Sequence, residues 1–209
     1  MKNMRSHLAL VSLLVMFAGA GALVQDEDTA FTPSIWGIEM PVTDVDRAVS
    51  YYTEVLGFKV VQSPGSQRRV VLDNDGLKLI FRLTENIARP DDAAQLNLNL
   101  RVANLDQAAR SVRETGGSLE SSEPIIAAIG KFIPTLDPFG NSVHLIDLNG
   151  EENDPDGLPR LYNVGFTILD MDTTEAFYTS LGFEVYSRDY LPDTLPLKPV
   201  GASMLVLHP

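Results

Sequence analysis

Apolar residues occupy every second position over residues 36–42, a period that predicts a β-strand. From Val45 to Tyr52 the apolar positions change to the spacing i, i+3, i+4 and i+7, which predicts an amphipathic helix. Asp44, between the two elements, has the side-chain oxygen of a helix N-cap, and Gly57 is placed to end the helix in the left-handed conformation. The pattern therefore predicts a strand followed directly by a helix.

This strand–helix pattern occurs three times. Residues 36–60 read WGIEMPVTDVDRAVSYYTEVLGFKV, residues 96–119 read LNLNLRVANLDQAARSVRETGGSL, and residues 162–185 read YNVGFTILDMDTTEAFYTSLGFEV. After each of the first two copies, short segments between turn residues predict three more strands, at 58–62, 69–72 and 77–83 and at 118–121, 132–136 and 142–147. Each unit is therefore predicted to be a βαβββ module, called here module one and module two.

The third copy follows an acidic linker, rich in glycine and proline, at residues 149–160. It predicts strands at 161–169, 183–190 and 202–207 with a proline-rich loop at 191–199, so its final strand is expected to be missing. A half-sheet of this kind exposes an edge that proteins normally protect. Two hypotheses follow: the chain is a fragment of a four-module protein, or this module three pairs with another copy in a homodimer.

The V-x-D-x-x-x-A-x-x-Y-Y-x-x-x-L-G-F pattern of module one, together with the Asp-Pro-Phe-Gly-Asn turn at 137–141, resembles the vicinal oxygen chelate superfamily. That superfamily includes glyoxalase I, the bleomycin and fosfomycin resistance proteins and the extradiol dioxygenases. The resemblance implies an α+β fold in which paired βαβββ modules form a cup-shaped mixed sheet. It also implies one glyoxalase-like domain at 35–148, with modules at 35–90 and 95–148, and one partial module at 161–209.

The alternation separates two faces of each expected sheet. The apolar rows need a helix over them, so the opposite rows are expected to line the concave face. Those opposite rows contain Gly37, Glu39, Lys78, Ile80, Arg82, Asn97, Asn99, Arg101, Ser142, His144 and Ile146. Three of these residues are cationic, which favours a polar or anionic small molecule held by Arg82 or Arg101.

The resemblance also implies where a metal would bind, at one position on the first strand and one on the last strand of each module. In modules one and two those positions fall on Gly37, Ile80, Asn97 and His144, and only His144 is an ordinary ligand. The first-strand position of module three is Asn163. The cofactor is therefore unknown, and the ligand positions do not support a divalent metal.

Glu39 and His144 are the remaining residues suited to bind a metal, and a shifted site built on them is one alternative. The other is that Glu39 pairs with Arg82 or Arg101, because buried charges are normally paired. His144 itself has three open roles: a hydrogen-bonded core or rim residue, a metal ligand, or a ligand-binding and catalytic group, since imidazole titrates near neutral pH. The predicted ligand-binding residues are Glu39, Arg82, Asn97, Asn99 and Arg101.

The chain has 209 residues and a formal net charge of −12. A nucleic-acid-binding protein needs a basic face, so this class of partner is excluded. The chain has no cysteine, which excludes disulfides and thiolate nucleophiles.

Lys2 and Arg5 precede an uncharged apolar stretch at 8–24 that contains small-x-small cleavage sites, the pattern of a secretory signal peptide. The sequence predicts a cleaved signal at residues 1–22 and a tether at 23–34, and the alternative is an uncleaved membrane anchor. Residues 1–22 carry two positive charges and no negative ones, so cleavage takes the net charge from −12 to −14. A periplasmic or secreted protein without stable membrane insertion is expected.

The leading functional hypothesis is an exported glyoxalase-like protein that binds a small polar or anionic molecule in its cup, and in one version also converts it. One rival is a metal-dependent lyase or dioxygenase that uses a shifted site or a missing fourth module. Another is a non-catalytic scaffold with vestigial cups. The fold alone does not choose among them, because one fold supports many activities.

Overall fold

The computed structural model describes residues 13–14, 35–62, 69–74, 76–85, 96–127, 129–150, 157–188, 195–198 and 204–208. Apart from residues 13–14, the predicted signal peptide and tether lie outside these residues. The described chain forms two mixed sheets and three helices of ten residues each. None of these helices is long and apolar enough to cross a membrane. The predicted α+β class with paired βαβββ modules is confirmed.

Module one forms most of a five-stranded sheet. Its elements, after the short strand β1 (Leu13–Leu14), are β2 (Gly37–Val42), α1 (Val45–Glu54), β3 (Lys59–Gln62), β4 (Arg69–Asn74) and β5 (Leu77–Leu83). The strand order is β1-β2-β5-β4-β3, with β2 parallel to β5. Asp44 caps α1 as predicted, because its carboxylate accepts a hydrogen bond from the Arg47 backbone N–H at 3.0 Å.

Module two repeats this arrangement. Its elements are β6 (Leu96–Arg101), α2 (Leu105–Glu114), β7 (Ser118–Leu119), β8 (Ile125–Ala127), β9 (Gly130–Leu136) and β10 (Ser142–Leu148). β6 is parallel to β10, and Asn104 caps α2 through the Gln107 N–H at 2.9 Å. The sequence did not predict β8, which among the described strands pairs with β9 alone and extends the hairpin at the margin of the sheet.

Module three has the strand order of the other two modules, which corrects the expectation that its final strand is missing. Its elements are β11 (Arg160–Thr167), α3 (Met171–Ser180), β12 (Glu184–Val185), β13 (Leu195–Lys198) and β14 (Met204–His208). β14 lies parallel to β11, as β5 does to β2, so β14 is the final strand. The strand overlooked in the sequence is β13, because Pro196 interrupts its apolar pattern and suggests a loop.

Modules two and three share one nine-stranded sheet, because β6 and β11 pair antiparallel at its centre. The sequence predicted instead that modules one and two share a cup. Among the described residues, no strand of the five-stranded sheet pairs with the nine-stranded sheet. The repeat predicts each module's strands, but every module offers a similar first-strand edge, so the sequence does not determine which two edges meet.

Most residues of the predicted apolar rows are buried beneath the helices, whereas Leu83 at the end of β5 is 46% exposed. The buried residues include Ile38, Met40, Leu79 and Phe81 in module one and Leu98, Leu100, Val143 and Leu145 in module two, all at most 3% exposed. Together with Val164, Leu205 and Leu207 they belong to one apolar core that spans all three modules. The opposite face of each sheet is therefore the face left for ligands.

Candidate functional site

The candidate site lies on the face of the nine-stranded sheet opposite its apolar core, called here the open face. Strand register places His144 beside Asn99, and Asn99 opposite Asn163, so one row of polar residues crosses from module two into module three. One residue further along, Leu145, Leu100 and Val164 point the other way and are buried in the core. Alternation along each strand thus assigns these polar side chains to the open face.

Three amide side chains meet at the centre of the open face. Leu98 pairs with Val164, and this pair is flanked by the pairs Asn97–Gly165 and Asn99–Asn163. Because Asn97 of module two is the repeat equivalent of Asn163, the arrangement has approximate twofold symmetry. The Asn99 Nδ2 donates a hydrogen bond to the Asn163 Oδ1 at 2.6 Å.

The amides of Asn97 and Asn163 are deeply buried for polar groups, at 5% and 3% exposure. Burial of an amide costs free energy unless it is hydrogen-bonded, so polar residues at the centre of a sheet are unusual. An amide offers both donors and acceptors, and a cluster of amides can bind a ligand with carbonyl, carboxylate or hydroxyl groups.

His144 stands beside this amide cluster and is partly buried. Its Nε2 lies 3.2 Å from the Ser142 hydroxyl, and its ring stacks on Phe132 with 6.1 Å between ring centroids. Phe132 and the serine restrict the orientation of the imidazole. A ring held in this way can donate or accept a proton at a ligand on the open face.

Arg101 carries positive charge at one end of the open face. It follows Asn97 and Asn99 with period two, and β10 places Ile146 beside it. Arg160 is its partner across the β6–β11 pairing, but the Arg160 guanidinium donates to the Pro159 carbonyl at 3.4 Å. Because directly opposed residues of an antiparallel pair share a face, both arginines lie at this end of the open face, and Arg101 is the one on the strand that carries Asn97 and Asn99.

The structure places the other two predicted ligand-binding residues on the five-stranded sheet. The Arg82 Nε donates to the Glu39 Oε1 at 2.7 Å, which is the ion pair that the sequence offered as an alternative to a shifted metal site. Lys78 pairs with Asp73 on the same sheet. The predicted set is therefore divided: Glu39 and Arg82 belong to module one, and Asn97, Asn99, Arg101 and His144 to the open face.

Asp137, which the sequence identified only as part of a turn, joins modules one and two. Its carboxylate accepts hydrogen bonds from the Phe139 N–H, the Asn141 N–H, the Asn141 amide and the Tyr52 hydroxyl, over 2.7–3.0 Å. Burial raises the pKa of Asp137, although these hydrogen bonds oppose the shift. Burial, with the nearby Asp137 charge, also raises the pKa of Tyr52.

Asn74 makes the corresponding link between module one and the start of β11. Its Nδ2 lies 3.3 Å from the Leu56 carbonyl and 3.2 Å from the Pro159 carbonyl, and its Oδ1 accepts from the Leu161 N–H at 2.9 Å. The sequence Asp-Asn-Asp-Gly at 73–76 is typical of a turn, and no local signal distinguishes a turn asparagine from one that bonds a distant segment.

The residues at the family's metal positions do not fit a divalent metal. In module two, β10 places His144 beside Asn99, and in module three β14 places Val206 beside Gly165, the repeat equivalent of Asn99. Val206 is therefore the module-three counterpart of His144, and it is apolar and 6% exposed. The Asn163 oxygen already accepts from Asn99. Among the described residues no three histidine or acidic side chains cluster. One imidazole and neutral amides are fewer and weaker ligands than a catalytic metal requires.

Comparison with known proteins agrees with this fold. Residues 35–145 match the family model of the glyoxalase/bleomycin resistance protein/dioxygenase superfamily. Glyoxalase I from Zea mays is similar in structure, with 19% identity and a TM-score of 0.61 over 82% of this chain and 66% of that one. A putative dioxygenase from Bacillus subtilis has 14% identity and a TM-score of 0.59 over 85% and 64%.

At such low identity the two structures support the fold alone. The chain spans 66% of the length of the maize enzyme and 64% of the Bacillus protein. No curated protein sequence matches the chain.

Proposed function

The chain belongs to the glyoxalase/bleomycin resistance protein/dioxygenase superfamily, and from this premise we propose that it binds a small polar, preferably anionic molecule on the open face shared by modules two and three. Binding relies on side chains of the chain itself rather than on a metal. The observation that carries the proposal is the grouping of Asn97, Asn99 and Asn163 at the junction of the two modules, where Asn99 donates to Asn163 at 2.6 Å.

Each residue has a distinct role in this proposal. The three amides orient the ligand through its carbonyl or hydroxyl groups, and Arg101 binds its negative charge. His144, oriented by Ser142 and Phe132, exchanges a proton with the ligand. The proposal includes export of the chain after removal of residues 1–22, so the ligand would be one met outside the cytoplasm.

The first experiment is a binding screen by thermal shift and calorimetry with acetate, succinate, inorganic phosphate and neutral acetamide. A ligand that binds only the folded state raises its melting temperature by mass action. We expect an anionic probe to raise the melting temperature more than acetamide does. Treatment with EDTA should leave the affinity unchanged, because no metal takes part.

A pair of variants then tests the site. Arg101→Ala removes the proposed charge partner, and a hydrogen bond to a charged group contributes enough that affinity should fall about tenfold or more. Arg110→Ala removes the same charge from the exposed side of α2 and should not change the affinity. No response to any probe, or equal losses in both variants, would contradict the proposal.

A further inference from the structure

The outer edge of β2, in module one, is a surface on which a further strand can pair, as β6 and β11 pair at the junction of modules two and three. In β2 the carbonyls of Trp36 and Val42 accept hydrogen bonds from the backbone N–H groups of Lys78 and Thr84, so even-numbered residues bond toward β5. The backbone groups of Gly37, Glu39 and Pro41 therefore point to the opposite edge. Among the described residues, the strand that β2 pairs with there is the two-residue β1, opposite Gly37 and Ile38.

The chain itself shows how such an edge is completed. β6 is the module-two equivalent of β2, and it pairs antiparallel with β11 about the Leu98–Val164 pair. Ile38 is the repeat equivalent of Leu98. Two β2 strands placed in the same way would be related by a true twofold axis at Ile38, because an antiparallel edge is complementary to itself.

We propose that a second copy of this chain docks on the β2 edge, with the two β2 strands antiparallel about Ile38. Gly37 of each copy then lies opposite Glu39 of the other, and about four backbone hydrogen bonds form between them. The second copy takes the place of β1, whose two-residue pairing shows that the edge accepts an antiparallel strand.

Side chains on both faces of β2 suit this pairing. On the core side Trp36, Ile38 and Met40 form an apolar row, so Ile38 meets its own counterpart and Trp36 meets Met40. Cross-strand apolar pairs of this kind stabilise sheets. They correspond to the Leu98–Val164 and Leu96–Phe166 pairs that join modules two and three.

On the other face the charges are complementary. Strand register places Lys78 beside Gly37, so Glu39 of one copy approaches Lys78 of the other across a glycine that has no side chain. The Glu39–Arg82 ion pair occurs twice around the axis. Docking thus turns the open side of module one into a two-module surface, which one copy alone does not complete.

Light scattering after size exclusion measures the assembly directly on the chain expressed in full, with its N-terminus read from intact mass. The expected result is twice the mass of one chain. A single chain has a mass of 22.9 kDa when residues 1–22 are present. The same doubling is expected with and without residues 1–22, because β1 offers only two pairing residues. A monomer at about 100 µM, where micromolar complexes are nearly saturated, overturns the proposal.

Glu39→Pro tests the edge itself. Proline removes the N–H that faces the second copy but no bond to β5, so the dimer dissociation constant should rise about tenfold to a hundredfold. Glu39→Ala is the matched control: it removes the same side chain, keeps the N–H and should remain dimeric. A dimer that survives Glu39→Pro but is lost in Phe177→Ser, on α3, overturns the proposal.

Two further measurements apply if the proline variant does not fold. Trp36 is the sole tryptophan of the chain, so its emission should shift to longer wavelength when the native protein is diluted and the dimer dissociates. The chain has no cysteine, so Glu39→Cys introduces a unique thiol about 8 Å from its counterpart. A short bismaleimide should link Glu39→Cys but not the exposed Glu114→Cys; equal linking contradicts the proposal.

Discussion

Helices α1 and α3 have the same local geometry but differ in burial. In α1 the Tyr51 and Tyr52 rings meet edge to face at 5.5 Å, and in α3 Phe177 and Tyr178 do so at 5.3 Å. Yet Tyr51 is 4% exposed and its equivalent Phe177 is 57% exposed. The repeated sequence therefore reproduces the arrangement of the rings without determining their surroundings.

The difference arises from the neighbouring module. α1 lies against module two, where the Tyr52 hydroxyl donates to Asp137 at 3.0 Å and the backbone of Gly117 approaches Tyr51 closely. A Cβ at Gly117 would lie 3.1 Å from the Tyr51 oxygen and only 2.7 Å from the Leu136 carbonyl oxygen, so this close packing needs glycine. α3 has no buried residue. Burial of these aromatic residues thus depends on contact between modules.

The largest expected effect on stability comes from truncation of Tyr52 in α1, compared with truncation of its equivalent Tyr178 in α3. Tyr52→Ala removes a fully buried ring that contacts Phe58 and Phe81, and should cost about 3–5 kcal/mol of unfolding free energy. Tyr178→Ala removes a half-buried ring and should cost about half as much. Urea unfolding measures both values, and equal costs would contradict the role assigned to module two.

The next largest effect comes from Asn74, and it tests whether hydrogen bonds between modules stabilise the protein in addition to the burial of apolar rings. Asn74→Ala leaves the Leu161 N–H and the Leu56 and Pro159 carbonyls without their side-chain partner. We expect a loss of about 2–3 kcal/mol, because unpaired buried polar groups are costly. Asn104→Ala, which removes an exposed helix cap, is the control and should cost about 1 kcal/mol. A smaller loss for Asn74→Ala than for this control would be inconsistent with a link between modules.

A smaller effect, in this case a gain in stability, should come from a substitution that makes α1 resemble α3. The Tyr51 hydroxyl is buried and has no hydrogen-bond partner among the described residues. Tyr51→Phe places in α1 the residue that α3 already has at Phe177, and should stabilise the protein by about 1 kcal/mol. Thermal unfolding measures the change; a clear loss of stability would mean that the hydroxyl is hydrogen-bonded.

The smallest effect is a pH dependence at the contact between modules one and two. Burial raises the pKa of Asp137, so the folded protein binds this proton more tightly than the unfolded chain does. The resulting stabilisation is complete below the unfolded pKa of about 3.9 and is lost as pH rises through the higher folded pKa.

Wild type should therefore gain stability relative to Asp137→Asn as pH falls from 7 to 4. Urea unfolding of both proteins across this range measures the difference, in which the contributions of the other carboxylates cancel. A constant difference, or one of opposite sign, would show that the hydrogen bonds to Asp137 outweigh its burial.

Most elements of the fold follow from local sequence. Asp44, Asn104 and Asp170 cap the three helices, because an N-cap needs only one side-chain oxygen and nearby N–H groups. The strand β13 was overlooked because Pro196 disrupts its pattern. Its neighbours β12 and β14, far away in sequence, provide the pairing that makes it a strand.

The candidate site was predicted only in part. Alternation along β6 and β10 placed Asn97, Asn99 and His144 on one face, and strand register agrees with this assignment. The sequence also grouped Glu39 and Arg82 with them, whereas the structure places that pair on another sheet. The error arose at one step, the choice of the module that pairs with module two.

The sequence alone determined most of the elements, the caps and the two faces of each sheet, because these depend on residues close together in the chain. The pairing of the sheet edges, the contact between Asn163 and Asn99, and the burial of Tyr51 but not of Phe177 follow from the three-dimensional arrangement of the modules. Those outcomes depend on contacts between modules whose first strands have similar edges. Because the three modules have nearly equivalent local sequence patterns, those patterns cannot determine which modules pair. Contacts at the junctions between modules determine the pairing.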